Sequence, residues 1–485
     1  MILRVLRGGE WLLGICVVGA LVASSAGAQS NTDTARAHYL RGVDYERQKN
    51  LDAAIEEYRA ALSRAPKLAE AHDRLGFVLG LQGHTADAIG EFEQAVALQP
   101  TLFDAHYHLG ATLWWTKQLA RARSELQRAV TLNPTHAEAR YYLAVTQRQL
   151  GDVTAAIDGF RVALRHDPKL TPAHTQLGVA LQQVGDVDGA IAEFRRALAL
   201  NPSLTDAANS LGLALMYKGD AAAAVQTLRA VVKASPDFSE ARLNLGVALM
   251  QGGELDAAAS ELRELTRRDQ TNAEAFYDLG LALKQQDDFD GAAAAFREAT
   301  RLDRSLPEAP FTLGVVLWQT GRADEALTAF RESITRRPDY ADARYMLATV
   351  LKQQGHTDAA LDEVRETIRL NPLSAEAHTT LAQLLQEKHD GDGARAALAE
   401  AERLNRRKAD AQASVFAVNS GMTELKRPDV AAAIAKFREA IQLSPDNAQA
   451  HFQLALALRR IGKQDEARTE FATARRLAPY LRSPE

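Results

Sequence analysis

A single cysteine, Cys16, stands in the 485 residues. No intrachain disulfide can therefore form, and no paired-thiol metal or redox site exists. Aromatic residues make up only 6% while hydrophobic residues reach 46%, a balance that favours alanine-rich helix packing and gives no sign of β structure. The chain has no basic block and no basic stripe interleaved with aromatics, and its net charge is −5; nucleic acid is not an expected partner. Phosphate loops, G-x-S-x-G, H-E-x-x-H and C-x-x-C are all missing, so neither catalytic residues, nor a metal, nor a cofactor are expected.

Long apolar runs are scarce as well. The exception is Trp11–Ala23, preceded by Arg4 and Arg7 and followed by Ser24-Ser25-Ala26-Gly27-Ala28. A positive start, a short apolar stretch and an A-x-A site read as a signal peptide over residues 1–28, cut after Ala28. Its thirteen apolar residues are too few to span a bilayer. Cys16 lies within this stretch, so the mature chain is expected to be exported, free of cysteine and without a membrane span.

What the sequence does have is repetition. Alanine recurs every 34 residues, at Ala54, Ala88, Ala122, Ala156, Ala190, Ala224, Ala258, Ala292, Ala326, Ala360 and Ala394, and resumes after five extra residues at Ala433 and Ala467. Twelve residues earlier sits a small residue such as Gly42, Gly76 or Gly178. Four residues later comes a large apolar one such as Tyr58, Phe92 or Phe194, and twelve later, in ten repeats, a proline such as Pro66 or Pro202. Such a period means a stacked solenoid in which no repeat buries its apolar face alone.

Each repeat predicts two helices. In residues 171–204, Leu177, Ala180, Leu181 and Val184 share one face of the first. Gly185 supplies a left-handed stop, Asp186 caps the second helix, and Pro202 prevents its continuation. The pattern resembles the tetratricopeptide repeat (TPR), W-x2-L-G-x2-Y, A-x3-F and P, over 35–408 and 414–481. The main departure is the tryptophan slot, which holds His38, His72, His106, His174, His378 and His451 in six repeats. Equivalent helices of neighbouring repeats are about 9–10 Å apart, too far for shared metal ligation, so these histidines are expected to fill the slot.

The resemblance implies an all-α, right-handed superhelical solenoid of about thirteen helix-turn-helix units. The organisation expected is signal peptide 1–28, a short segment 29–34, repeats one to eleven over 35–408, an insertion 409–413 that lengthens a helix or loop, repeats twelve and thirteen over 414–481, and a tail 482–485. The array also resembles the TPR region of O-linked N-acetylglucosamine transferases without their catalytic domain. The carboxylate clamp of tail-binding TPR domains is not matched, because acidic residues stand at its lysine position in the third clamp repeat.

The resemblance further implies a concave groove lined by the first helices. An acidic row occupies their first turn: Glu70, Asp104, Glu138, Asp206, Glu240, Glu274, Glu308, Asp342 and Glu376, where carboxylates favour the helix dipole. Further along lie Gln149, Gln183, Gln251, Gln285, Gln319 and Gln353, amides able to donate to and accept from an extended peptide backbone. Repeats three and four add Tyr107, Trp114, Trp115, Tyr141 and Tyr142, which read either as interface anchors or as packing between repeats. These residues are the candidate peptide-binding site. The function expected is a non-catalytic scaffold binding extended peptide or envelope-protein segments, in the periplasm of a bacterium, with secretion as the alternative. A self-associating homo-oligomer within a pilus, secretion or exopolysaccharide assembly is the second reading, and an accessory subunit of a transferase a distant third.

Overall fold

The computed structural model describes residues 26–426 and 430–481. The apolar run Trp11–Ala23 and the tail 482–485 lie outside them. The described residues form 25 helices and no strand, from α1 (Ala26–Arg47) to α25 (Gln464–Leu477). The all-α helical-repeat array is therefore observed. Helix α1 already covers the expected cleavage point after Ala28 and the segment 29–34. None of the helices searched is long and apolar enough to cross a membrane.

The chain divides into two compact bodies, Met1–Leu265 and Thr266–Glu485. The division falls inside α14 (Leu255–Arg268), beside a junction whose proline is replaced by Gln270. Within each body, helices adjacent in sequence pack on one another, from α1 to α13 and from α15 to α25.

Local chemistry explains the alternation. In the fifth repeat, α9 (Thr171–Gln183) carries proline in its first turn, where the missing N–H costs nothing. Gly185 then adopts φ +83°. Asp186 caps α10 (Val187–Leu200) by accepting from the Gly189 N–H at 2.9 Å. Lys49, Lys117, Asp287 and His389 hold the same left-handed position in other repeats, at a cost of about 1–2 kcal/mol each.

The small residue of the first helix marks its closest approach to the second. A Cβ on Gly178 would lie 2.6 Å from the Phe194 ring, inside contact distance. The repeating alanines, from Ala54 to Ala433, are fully buried nearly throughout, as are Phe92, Phe160, Phe194, Phe296, Phe330 and Phe437.

One stretch departs from the alternation. The second helix of repeat eleven and the first of repeat twelve are a single helix, α22 (Gly391–Glu424), 34 residues long. The insertion Ala-Asp-Ala-Gln-Ala at 409–413 contains neither glycine nor proline, so nothing in it interrupts helical hydrogen bonding.

Candidate functional site

The first helices meet at a fixed offset of 35 residues, which sets the fifth position of one repeat beside the sixth of the next. In the N-terminal body the Asp73 carboxylate lies 2.8 Å from His108 Nδ1, both buried. The Asn244 amide donates to Asn209 Oδ1 at 2.9 Å, and Asn209 donates onward to Glu240 at 2.9 Å. In the C-terminal body the Tyr277 and Thr312 hydroxyls lie 3.5 Å apart, and those of Tyr345 and Thr380 3.4 Å apart.

The aromatic candidates fall on this face in the N-terminal body. Tyr107 and Trp114 belong to α5 (Phe103–Trp115), Tyr141 and Tyr142 to α7 (Ala137–Gln149). Tyr142 is the hub, with ring centroids 6.1 Å from Tyr107, 5.4 Å from Trp114 and 5.1 Å from Tyr141. Tyr107 and Tyr142 are each only 8% exposed. Tyr107 at position five and Tyr142 at position six close over each other across the two repeats, so these two rings are packing. Burial drives both hydroxyls well above the ordinary tyrosine range, and Tyr107 donates to Glu138 Oε2 at 3.0 Å. Tyr141, half-buried, also meets the Phe160 ring at a tilt, with centroids 6.0 Å apart, and burial raises its hydroxyl to about 12. Trp114 packs half-buried against the cluster. Trp115, also half-buried, is not part of it.

All six glutamines of the amide row are exposed. Gln149 and Gln353 are already engaged: the Trp114 indole donates to Gln149 Oε1 at 3.0 Å and the Trp318 indole to Gln353 Oε1 at 2.9 Å. Gln183, Gln251, Gln285 and Gln319 make no side-chain hydrogen bond to a described residue. The acidic row is partly spoken for: Glu138, Glu240 and Glu308 accept from Tyr107, Asn209 and Arg337. On the same face Asp278 is pushed up to about 7 by burial and then by Glu274.

The histidines do fill the tryptophan slot, and with partners that sequence reasoning missed. His72 Nδ1 lies 2.6 Å from Glu91 and its Nε2 3.1 Å from the Pro66 carbonyl. The same clip joins His106 to Glu125 and Pro100, His174 to Glu193 and Pro168, and His451 to Glu470 and Pro445. Arginine substitutes in Arg242–Glu261 and Arg344–Glu363. The partner always stands 19 residues on. Of nine basic slot residues seven have Glu there, and of the four other slots none does. That covariation was legible in the sequence. The His174 clip also floors a cavity of about 620 Å³ whose rim carries Arg161, Arg165 and Arg196. Among the described residues no cluster of metal-ligating side chains occurs.

Both ring nitrogens of His72 face oxygen atoms, so the imidazolium satisfies both. Its hydrogen bond to Glu91 raises its pKa against the opposing effect of burial. A raised pKa contributes stability that is present below the unfolded value of about 6.5 and lost as pH climbs through the folded one. Urea unfolding across a pH series is therefore expected to show the N-terminal body losing stability above about pH 6.5. His72→Gln should flatten that dependence, and an unchanged profile would contradict the clip.

Tetratricopeptide repeat families match residues 79–130, 116–170 and 419–481, and residues 35–68 and 172–204. The C-terminal domain of cilia and flagella-associated protein 70 matches residues 206–418. No curated protein matches the chain. Among solved structures, MamA is 27% identical, covering 35% of this chain and 93% of its own, with a TM-score of 0.33. YrrB, described as a TPR protein with an unusual peptide-binding site, is 20% identical over 38% of this chain and 95% of its own, TM-score 0.35. PilF of Pseudomonas aeruginosa is 19% identical over 44% and 97%, TM-score 0.40.

Proposed function

This chain is a tetratricopeptide-repeat protein, and from that premise we propose that it is a non-catalytic scaffold whose first-helix face captures an extended segment of a partner protein. The observation that carries this reading is the surface at repeats three and four. There Trp114 keeps part of its surface accessible beside a floor of buried Tyr107 and Tyr142, and Trp115, next to it in the chain, is likewise half-buried. A rigid aromatic edge over a closed floor is the arrangement of an interface anchor. Trp114 is held in place by its bond to Gln149, which leaves the Gln149 amide N–H₂ free to donate to a peptide carbonyl. Gln183 and Gln251 continue the donors and acceptors along the same body.

The chain acts after export, in a bacterial periplasm, and its ligands are segments of envelope proteins. The support is the leader-like start, the cysteine-free remainder and the absence of a catalytic motif. N-terminal sequencing of envelope-fraction protein is expected to begin at Gln29; an intact Met1 in a membrane pellet would instead indicate an anchor. Immobilised mature protein should retain specific proteins from an envelope extract, and retention of none would overturn the scaffold reading.

A further inference from the structure

The uninterrupted helix α22 leaves two stacking surfaces uncovered. Its first half packs on α21 (Ala375–Glu387) through Ala394, Ala397, Ala401 and Leu404. Its second half packs on α23 (Ala431–Leu443) through Ser414, Ala417, Val418 and Gly421. Between them Asn405–Ala413 is exposed at every residue except half-buried Asp410.

Two side chains stand out against their repeat equivalents. Leu398 occupies the large apolar position of the second helix, which is 0% exposed in eleven repeats and 9% at Phe471 in the last. Here it is 47% exposed. Phe416 occupies the third position of the first helix. Eleven other repeats have a fully buried alanine there, from Ala71 to Ala450, yet Phe416 is 77% exposed. The two lie 18 residues apart (416 minus 398), five turns at 3.6 residues per turn, and therefore on one face of α22.

We propose that this face docks an acidic amphipathic helix of a partner protein. Its apolar side would cover Leu398 and Phe416, and its carboxylates would meet the basic centre between them. Arg407 is paired with Asp446 at 3.3 Å, but Arg406 and Lys408 hold no ion pair with a described residue. A second copy of the chain fits poorly. In antiparallel two-fold packing residue 398 meets residue 416, the centre falls at 407, and Arg406 and Lys408 would face their own copies across it. Like charges in such contact are destabilising. The span between the anchors, about 27 Å at ~1.5 Å per residue, calls for a helix of at least about five turns, longer than a loop or a two-turn segment supplies. The site is independent of the tryptophan face of the N-terminal body.

The test uses the full mature chain and a labelled helical peptide of roughly six turns, with leucines along one face and glutamates elsewhere, against a version with lysines for the glutamates. Fluorescence anisotropy is expected to show the acidic peptide binding at least about tenfold more tightly, an advantage that falls with added salt. Phe416→Ala restores the alanine of the other repeats and is expected to keep helix content while weakening the acidic peptide about tenfold or more. Arg406→Glu with Lys408→Glu should reverse the preference. Equal binding of the two peptides, binding indifferent to Phe416→Ala, or no binding of either overturns the proposal. So does a dimer in light scattering that Phe416→Ala abolishes, which would assign the face to a second copy.

Discussion

Phe194→Ala is expected to destabilise the N-terminal body by about 3–5 kcal/mol, the range for emptying a large aromatic from a close-packed core. The ring is fully buried and lies so close to Gly178 that even a Cβ there would overlap it. Relaxation of α9 toward α10 cannot refill a cavity of that size, because each helix is also held by its other neighbour. In a stacked array each repeat touches only the adjacent ones, so the damage should stay local. Hydrogen exchange is expected to accelerate in residues 171–204 and the flanking repeats far more than in α1. Uniform loosening of the whole body, or a loss below about 1 kcal/mol, would show that the repeat core is not built in this way.

The second large effect concerns binding. Trp114→Ala combined with Trp115→Ala is expected to weaken partner capture by at least about 2 kcal/mol, roughly thirtyfold in affinity. Helix content and thermal unfolding should change little, since both rings are only half-buried while Tyr107 and Tyr142 carry the packing. Gln183→Ala with Gln251→Ala should cost less, because an exposed amide surrenders hydrogen bonds to water in order to bind. Collapse of the local fold would show that Trp114 is core. Unchanged fold and capture would move the ligand to the acidic row and make basic peptides the next candidates.

Sequence alone determined the class, number and phase of the repeats, because the 34-residue period constrains the same packing contacts thirteen times over. Glycine, aspartate and proline mark the turns through local backbone chemistry that needs no tertiary context. The His–Glu clips were equally legible, since the partner stands at a constant separation of 19 residues. Tertiary structure decided what periodicity within one repeat cannot express. The 35-residue offset between neighbouring first helices closed over Tyr107 and Tyr142 and left Trp114 and Trp115 partly open, because burial there depends on the next repeat rather than on the helix's own pattern. It also decided the fate of residues 409–413. Five residues that favour helix are compatible with either a longer helix or a loop, and only the packing of α21 and α23 on opposite halves of α22 kept the helix whole and left Leu398 and Phe416 uncovered.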